Sequence, residues 1–185
     1  MTAVFISSDN KAKDIAPIFS LLSRTARVSA FFESFTCIID SAEYVLLPLK
    51  NEPTKNDADC AAIVFSDSRA LDMLPAGCAV LCFCDKAAAR CSGQGRQIIS
   101  CGMHNKDTVT LSSTEKGKPV LSVQRRLTSF SGEAIEVGDF PLMTDEQDCR
   151  ALMAAAVLLL LNGKELEQNS FSDQSSTTEP VPFST

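Results

Sequence analysis

Glycine is scarce in the first half of this chain. The sequence has eight glycines in 185 residues, and the first of them is Gly77. In parallel α/β domains, glycines in the turn after the first strand let backbone amides surround a phosphate. The turn expected here spans residues 7–14 and reads Ser-Ser-Asp-Asn-Lys-Ala-Lys-Asp. The sequence therefore excludes a standard glycine-rich phosphate loop at this position.

Basic residues and long apolar runs are also few. The chain has 17 Lys and Arg against 23 Asp and Glu, a net charge of −6, so we expect no nucleic-acid partner. The longest apolar run, residues 151–161, is about half as long as a bilayer-spanning helix, which predicts a core helix and no membrane association. The first residues lack the pattern of a secretory signal. We therefore predict a cytoplasmic protein with reduced thiols.

The sequence contains eight cysteines but one histidine, His104. No two cysteines are separated by two residues, as zinc knuckles and thioredoxin-like motifs require, so we predict that the thiols pack in the core. Cys84 and Arg90 have the separation found in cysteine phosphatases. The residues between them favour a helix, and Asp85 would repel a phosphate. A catalytic thiol is not predicted.

Apolar runs of strand length alternate with helical patterns through the first hundred residues. The predicted strands are 3–6, 28–32, 44–47, 61–65, 78–84 and 97–101, and the predicted helices are 14–22, 69–74 and 86–91. Asp14 is the expected N-cap of the first helix. This alternation predicts a three-layer, Rossmann-like α/β domain with a mostly parallel sheet.

The pattern changes after Gly102 to consecutive strands, which predict a small antiparallel appendage at 109–113, 119–128 and 133–137. Thr144 and Gln147 form a capping-box pattern that predicts the start of a last helix, and this helix is expected to end at Asn162-Gly163. We expect one domain over residues 1–166. Residues 167–185 are rich in Ser and Thr and predict a disordered tail.

Several segments resemble parts of a known family. Residues 74–85 are similar to a strand that ends in Asn-x-Asp-Asp, residues 97–102 to a Val-Ile-Thr-Phe-Gly strand, and residues 152–156 to an Asn-Ala-Leu-Ala-Ala helix. On these motifs, residues 74–163 resemble the closing part of the central, ATP-binding domain of the Mur ligases. Those enzymes add amino acids during peptidoglycan synthesis. The resemblance implies the fold of that domain.

The residues that serve ATP in the family are not present here. Its Gly-Thr-Asn-Gly-Lys-Thr/Ser loop corresponds to residues 8–13, where Asn10 alone matches and Ala12 takes the position of the lysine. Residues 59–66 are similar to the strand that precedes the family's metal-proximal Asp-His, but Asp67 is followed directly by Ser68 and not by a histidine. The family's His-Asn pair corresponds to Glu146-Gln147. We therefore predict a non-catalytic Mur-ligase-like domain with a degenerate phosphate loop and no metal or cofactor. It is expected to bind a protein partner or a small metabolite.

A second function stays open, in which the chain is a nucleotide-binding enzyme related to the Mur ligases. It would use a non-standard phosphate site, with ATP and magnesium as cofactors. The candidate phosphate contacts are then Ser8, Asn10, Lys11 and Lys13. Open α/β sheets bind ligands at the carboxyl ends of their strands. The candidates for a crevice at that edge are Asp67, Asp85 and His104.

Overall fold

A computed structural model describes residues 1–8, 11–32, 35–49, 59–67, 69–92, 95–115, 118–166 and 171. The first part of the chain alternates strands with helices: β1 (Thr2–Ser7), α1 (Lys11–Ser23), β2 (Val28–Phe32), β3 (Phe35–Cys37), β4 (Tyr44–Pro48), β5 (Cys60–Val64), a 3₁₀ helix (Arg69–Met73), β6 (Ala79–Cys82), α2 (Asp85–Cys91) and β7 (Gln97–Gly102). The second part consists of β8 (Val109–Glu115), β9 (Lys118–Val123), β10 (Leu127–Thr128), β11 (Ala134–Ile135), β12 (Gly138–Pro141) and α3 (Cys149–Leu161).

Ten of the strands form one sheet, in the order β12-β9-β8-β7-β6-β5-β1-β4-β2-β3. Strands β2, β4, β1, β5, β6, β7 and β8 follow one another in parallel. Antiparallel pairs lie at both margins, with β3 on β2 and with β9 and β12 beyond β8. The mostly parallel sheet is confirmed. The predicted antiparallel appendage continues this sheet, and only the short β10–β11 hairpin stands apart.

The sheet is the middle one of three layers, because alternate residues of its central strands pack in opposite directions. Val4 and Ile6 of β1 join a core cluster with α1 and α3. Ala3 and Phe5 join a second cluster with the 3₁₀ helix and α2. Strand side chains alternate between the two faces of a sheet, so both faces of β1 are covered. The three-layer, Rossmann-like prediction is confirmed.

Helix α3 is buried on every side. All eleven residues from Ala151 to Leu161 are buried, and the helix packs on α1, β7 and β8. The Tyr44 hydroxyl donates a hydrogen bond to the Leu158 carbonyl oxygen at 3.2 Å. A helix that is apolar all round is expected in a core, as the sequence predicts. In the described parts of the chain, no helix is long and apolar enough to cross a membrane.

The predicted starts of two helices are wrong. Helix α1 begins at Lys11, so Asp14 lies in its first turn and its carboxylate bonds to other side chains. Helix α3 is capped by Asp148, which accepts hydrogen bonds from the amides of residues 150 and 151 at 2.9 and 3.2 Å. Thr144 instead accepts from the Glu146 amide, four residues before the helix. The predicted end at Asn162-Gly163 is confirmed, and Gly163 has a φ of +69°.

Of the predicted tail, 167–185, the structure describes only Phe171. This side chain is fully buried and belongs to the larger core cluster. Its backbone forms a parallel bridge with Thr144, and its carbonyl oxygen accepts a hydrogen bond from Arg24 Nη1 at 2.6 Å. The chain beyond α3 therefore returns to the core at this residue.

Candidate functional site

A buried carboxylate joins the turn after β1 to the start of α3. The Asp14 side chain is 8% exposed, accepts a hydrogen bond from Ser8 Oγ, and lies 3.0 Å from Arg150 Nη2. Ser8 follows the last residue of β1, and Arg150 is the second residue of α3. The ion pair thus fixes the carboxyl end of β1 against two helix N-termini.

The position of Asp14 has an electrostatic consequence. The first turn of a helix carries partial positive charge, and a bound phosphate is commonly stabilised there. In α1 the chain's own carboxylate supplies the negative charge, and the guanidinium of Arg150 neutralises it. Because the first turn already holds this ion pair, a phosphate there would gain little from the partial positive charge of the helix.

An aromatic pair lies next to this ion pair. Phe65 follows β5 and Phe83 follows β6, and their amides donate hydrogen bonds to the ends of the neighbouring strands at 3.0 and 2.9 Å. Their rings stack with centroids 5.0 Å apart and an interplanar angle of 25°. The Arg150 guanidinium carbon lies 5.0 Å from the centre of the Phe65 ring. Arg150 therefore forms an ion pair with the buried carboxylate and also packs over one ring of the aromatic pair.

Asp67, a predicted crevice residue, is held by an arginine of α2. Arg90 Nε lies 2.9 Å from Asp67 Oδ1, and Arg90 Nη2 lies 3.3 Å from the second oxygen. Hydrogen bonding to Arg90 lowers the pKa of Asp67 from its ordinary value. Arg90 is also 3.5 Å from Asp72. The negative charge of Asp67, which follows β5 at this edge, is thus compensated by an arginine of the same chain.

The structure brings the other two crevice candidates to the same edge, after neighbouring strands. Asp85 begins α2 and is exposed. His104 is exposed in the turn after β7, where its amide donates to Asp107 Oδ2 at 3.0 Å. A Cβ atom on Gly102 would lie 2.4 Å from that same oxygen, so any other residue there would have to displace the Asp107 carboxylate. The Asp107 carboxylate therefore shapes the turn that carries His104.

The predicted phosphate contacts are only partly described. Ser8 bonds to Asp14, and Lys13 is exposed in the first turn of α1. Asn10 and the side chain of Lys11 lie outside the described residues. Among the described residues, no three His, Cys, Asp or Glu side chains are arranged to hold a metal ion. A phosphate role for these four positions stays a prediction.

Sequence reasoning missed a cavity of about 390 Å³ at the opposite, amino-terminal edge of the sheet. It lies at the starts of β5, β6 and β7 and is lined by Asp59, Cys60, Pro75, Ala76, Gly77, Ala79, Gly95, Gln97, Thr128, Ser129 and Phe130. The β10–β11 hairpin forms one wall and is fixed by paired hydrogen bonds of 2.9 and 2.7 Å between the Gln97 amide group and the Thr128 backbone. The hairpin's position depends on these distant contacts, so no local pattern predicts the cavity.

Comparison with solved structures identifies the type of fold. A MurF ligase from Thermotoga maritima in complex with ADP matches with a TM-score of 0.57 and 10% identity, over 97% of this chain and 49% of that chain. A bifunctional folylpolyglutamate synthase/dihydrofolate synthase with Mn, AMPPNP and L-glutamate bound matches with a TM-score of 0.55 and 8% identity, over 91% and 55%.

This chain therefore has the fold of the Mur ligase central domain, as the sequence motifs predict. It spans about half the length of the structures that it matches. No protein-family profile matches the chain, and no curated protein sequence does either.

Proposed function

We propose that this chain is a non-catalytic domain with a Mur-ligase-like fold, which binds a protein partner or a small metabolite and does not turn over ATP. The observation that supports this function best is the buried Asp14 carboxylate in the first turn of α1, bonded to Ser8 and Arg150. In an α/β nucleotide-binding domain that position attracts phosphate. Here the position carries a carboxylate that is already paired with an arginine, which supports a site that does not hold phosphate.

The charges along the carboxyl edge support the same conclusion. Phosphoryl transfer requires positive groups, usually a lysine and a metal ion, to neutralise the charge that develops on the phosphate. Arg150 is paired with Asp14, and Arg90 is paired with Asp67. Ala12 takes the position of the family's lysine. The two arginines described at this edge are thus already paired with carboxylates, which supports a site that does not bind ATP and its magnesium ion.

The proposal also covers the cellular location of the protein and the pathway in which it takes part. We propose a cytoplasmic location and a connection to peptidoglycan synthesis, which the similarity to a MurF ligase supports. The connection predicts that a UDP-linked sugar is a better candidate metabolite than ATP.

The test is a ligand titration followed by thermal unfolding. Purified protein is mixed with magnesium and ATP or ADP, and separately with UDP-sugars, with a catalytically active Mur ligase as the positive control. A ligand at about 100 times its dissociation constant stabilises the folded state by about 2.7 kcal/mol. We expect no shift with ATP or ADP up to millimolar concentration.

Stabilisation by ATP would contradict the proposal. If this stabilisation disappeared in Lys13→Ala, an exposed position in the first turn of α1, the nucleotide-binding alternative would replace it. Arg125→Ala is the control variant, because it also removes a positive charge but lies at an exposed position between β9 and β10.

A further inference from the structure

Two buried thiols face each other at the amino ends of β5 and β6. Ala61 of β5 pairs with Ala79 of β6 in parallel register, so the preceding residues, Cys60 and Cys78, lie opposite one another. Both side chains belong to the core cluster beneath α2 and therefore point to the same face of the sheet.

The spacing of these positions suits a disulfide. Neighbouring strands lie about 4.8 Å apart. Disulfides join residues whose Cα atoms are about 4.4 to 6.8 Å apart and whose Cβ atoms point the same way. The Cys78 thiol donates a hydrogen bond to the Ala79 carbonyl oxygen at 3.6 Å, and the Cys60 and Cys78 thiols are near enough to shift each other's pKa. The general spacing of neighbouring strands therefore falls within the range that a disulfide can bridge.

The two thiols differ in acidity. The neighbouring Cys78 thiol lowers the pKa of Cys60, and this effect outweighs burial and the negative charge of Asp59, which both act to raise it. The same contact and burial raise the pKa of Cys78. Because the thiolate is the nucleophile, Cys60 is the one that attacks an oxidant first.

Access to the two residues differs as well. Cys60 is part of the lining of the cavity at the amino-terminal edge of the sheet. Cys78 is fully buried and is not among the residues that line the cavity. A small oxidant that enters the cavity meets Cys60, while Cys78 is shielded from it.

We propose that Cys60 and Cys78 are a peroxide-reactive thiol pair that forms an intramolecular disulfide. The Cys60 sulfur attacks one oxygen of hydrogen peroxide, the O–O bond breaks, and the departing hydroxide takes up a proton as water. Cys60 is then a sulfenic acid. The Cys78 sulfur attacks the Cys60 sulfur, the S–O bond breaks, and the departing hydroxide leaves as water with the Cys78 proton. Two thiols are oxidised and one peroxide is reduced to two waters.

This reaction goes beyond the proposed binding function and does not depend on it. The reduced protein is treated with hydrogen peroxide under native conditions, and the remaining thiols are then blocked with N-ethylmaleimide after denaturation. We expect the chain to lose two hydrogen atoms and to retain two cysteines that the reagent does not modify. Peptide mapping should join the segments that contain residues 60 and 78.

Serine variants separate the roles of the two cysteines. Cys60→Ser should abolish the disulfide, and Cys78→Ser should leave a sulfenic acid on residue 60 that dimedone traps. Cys149→Ser removes an exposed thiol and Cys91→Ser removes a buried neighbour, and both should form the disulfide as the wild type does. If Cys60→Ser does not fold, the peptide map of the oxidised wild-type protein tests the proposal by itself.

Two results would overturn the proposal. In one, N-ethylmaleimide added after denaturation modifies both Cys60 and Cys78, although the peroxide has oxidised Cys149. In the other, the disulfide joins Cys60 or Cys78 to a different cysteine.

Discussion

Replacing Asp14 by asparagine tests the ion pair at the turn after β1. The asparagine preserves the size of the side chain and removes its charge. Its amide oxygen can still accept from Arg150 Nη2, and its amide nitrogen can donate to Ser8 Oγ, because a hydroxyl both donates and accepts. The variant therefore separates the contribution of the negative charge to stability from the contribution of side-chain packing.

The expected loss of stability follows from the exposure of the two partners. Hydrogen bonds to charged groups contribute about 1.5 to 3 kcal/mol, against about 1 kcal/mol for neutral ones. Asp14 is 8% exposed, but Arg150 is 45% exposed and recovers part of its hydration when the carboxylate is lost. We expect Asp14→Asn to lower the free energy of unfolding by about 1 to 2 kcal/mol. For a domain of this size, the melting temperature should fall by roughly 2 to 4 °C per kcal/mol.

Urea unfolding followed by circular dichroism measures this effect. Asp85→Asn is the matched control, because Asp85 is also an acidic residue in the first turn of a helix but is exposed. Its stability should change by less than about 0.5 kcal/mol. If Asp14→Asn cost no more than Asp85→Asn, the carboxylate would not hold the turn, and the argument against phosphate binding would fail with it.

Two further substitutions test other parts of the structure. Gly102→Ala should destabilise by about 1 to 3 kcal/mol, because its Cβ would lie 2.4 Å from Asp107 Oδ2. Gly138→Ala, whose nearest atom is 3.9 Å away, should be tolerated far better in the same melting experiment, and equal losses would refute the steric argument. Glu43→Gln tests the 2.5 Å bond from Lys164, which lowers the pKa of Glu43. Because the pKa of Glu43 is lower in the folded than in the unfolded protein, its ionised form stabilises the fold fully above the unfolded pKa of about 4.3. This stabilisation is lost as the pH falls through the folded-state pKa. The variant should therefore lose at most about 1 kcal/mol at pH 7, since the pair is partly exposed, and less than that at pH 3. A loss of equal size at both pH values would contradict this assignment.

The redox prediction for Cys60 and Cys78 and the nucleotide titration concern opposite edges of the sheet. The first depends on the amino ends of β5 and β6, and the second on the carboxyl end of β1. Each can therefore fail without affecting the other.

Local patterns determined the fold class and most of the elements. Strands such as residues 60–64 and 79–82 are continuous apolar runs, which a strand covered on both faces requires. The run at 151–161 is apolar throughout because α3 is buried on all sides. The missing glycines and the alanine at position 12 were likewise visible in the sequence.

Helix starts were harder to predict, since a cap depends on which competing bond a side chain makes. Asp14 satisfies the sequence rule for an N-cap, but Arg150, 136 residues away, engages its carboxylate. Asp148 and Thr144 both suit a cap, and the local turn through Glu146 selects Asp148.

Only the tertiary structure decided what fills the two edges of the sheet. The ion pair of Asp14 with Arg150, the stacking of Phe65 on Phe83 and the cavity beside the β10–β11 hairpin all join residues that are distant in the chain. Periodicity reports which face of a strand or helix is buried, because burial repeats with the geometry of the element. It carries no information about which distant side chain meets another at the end of a strand.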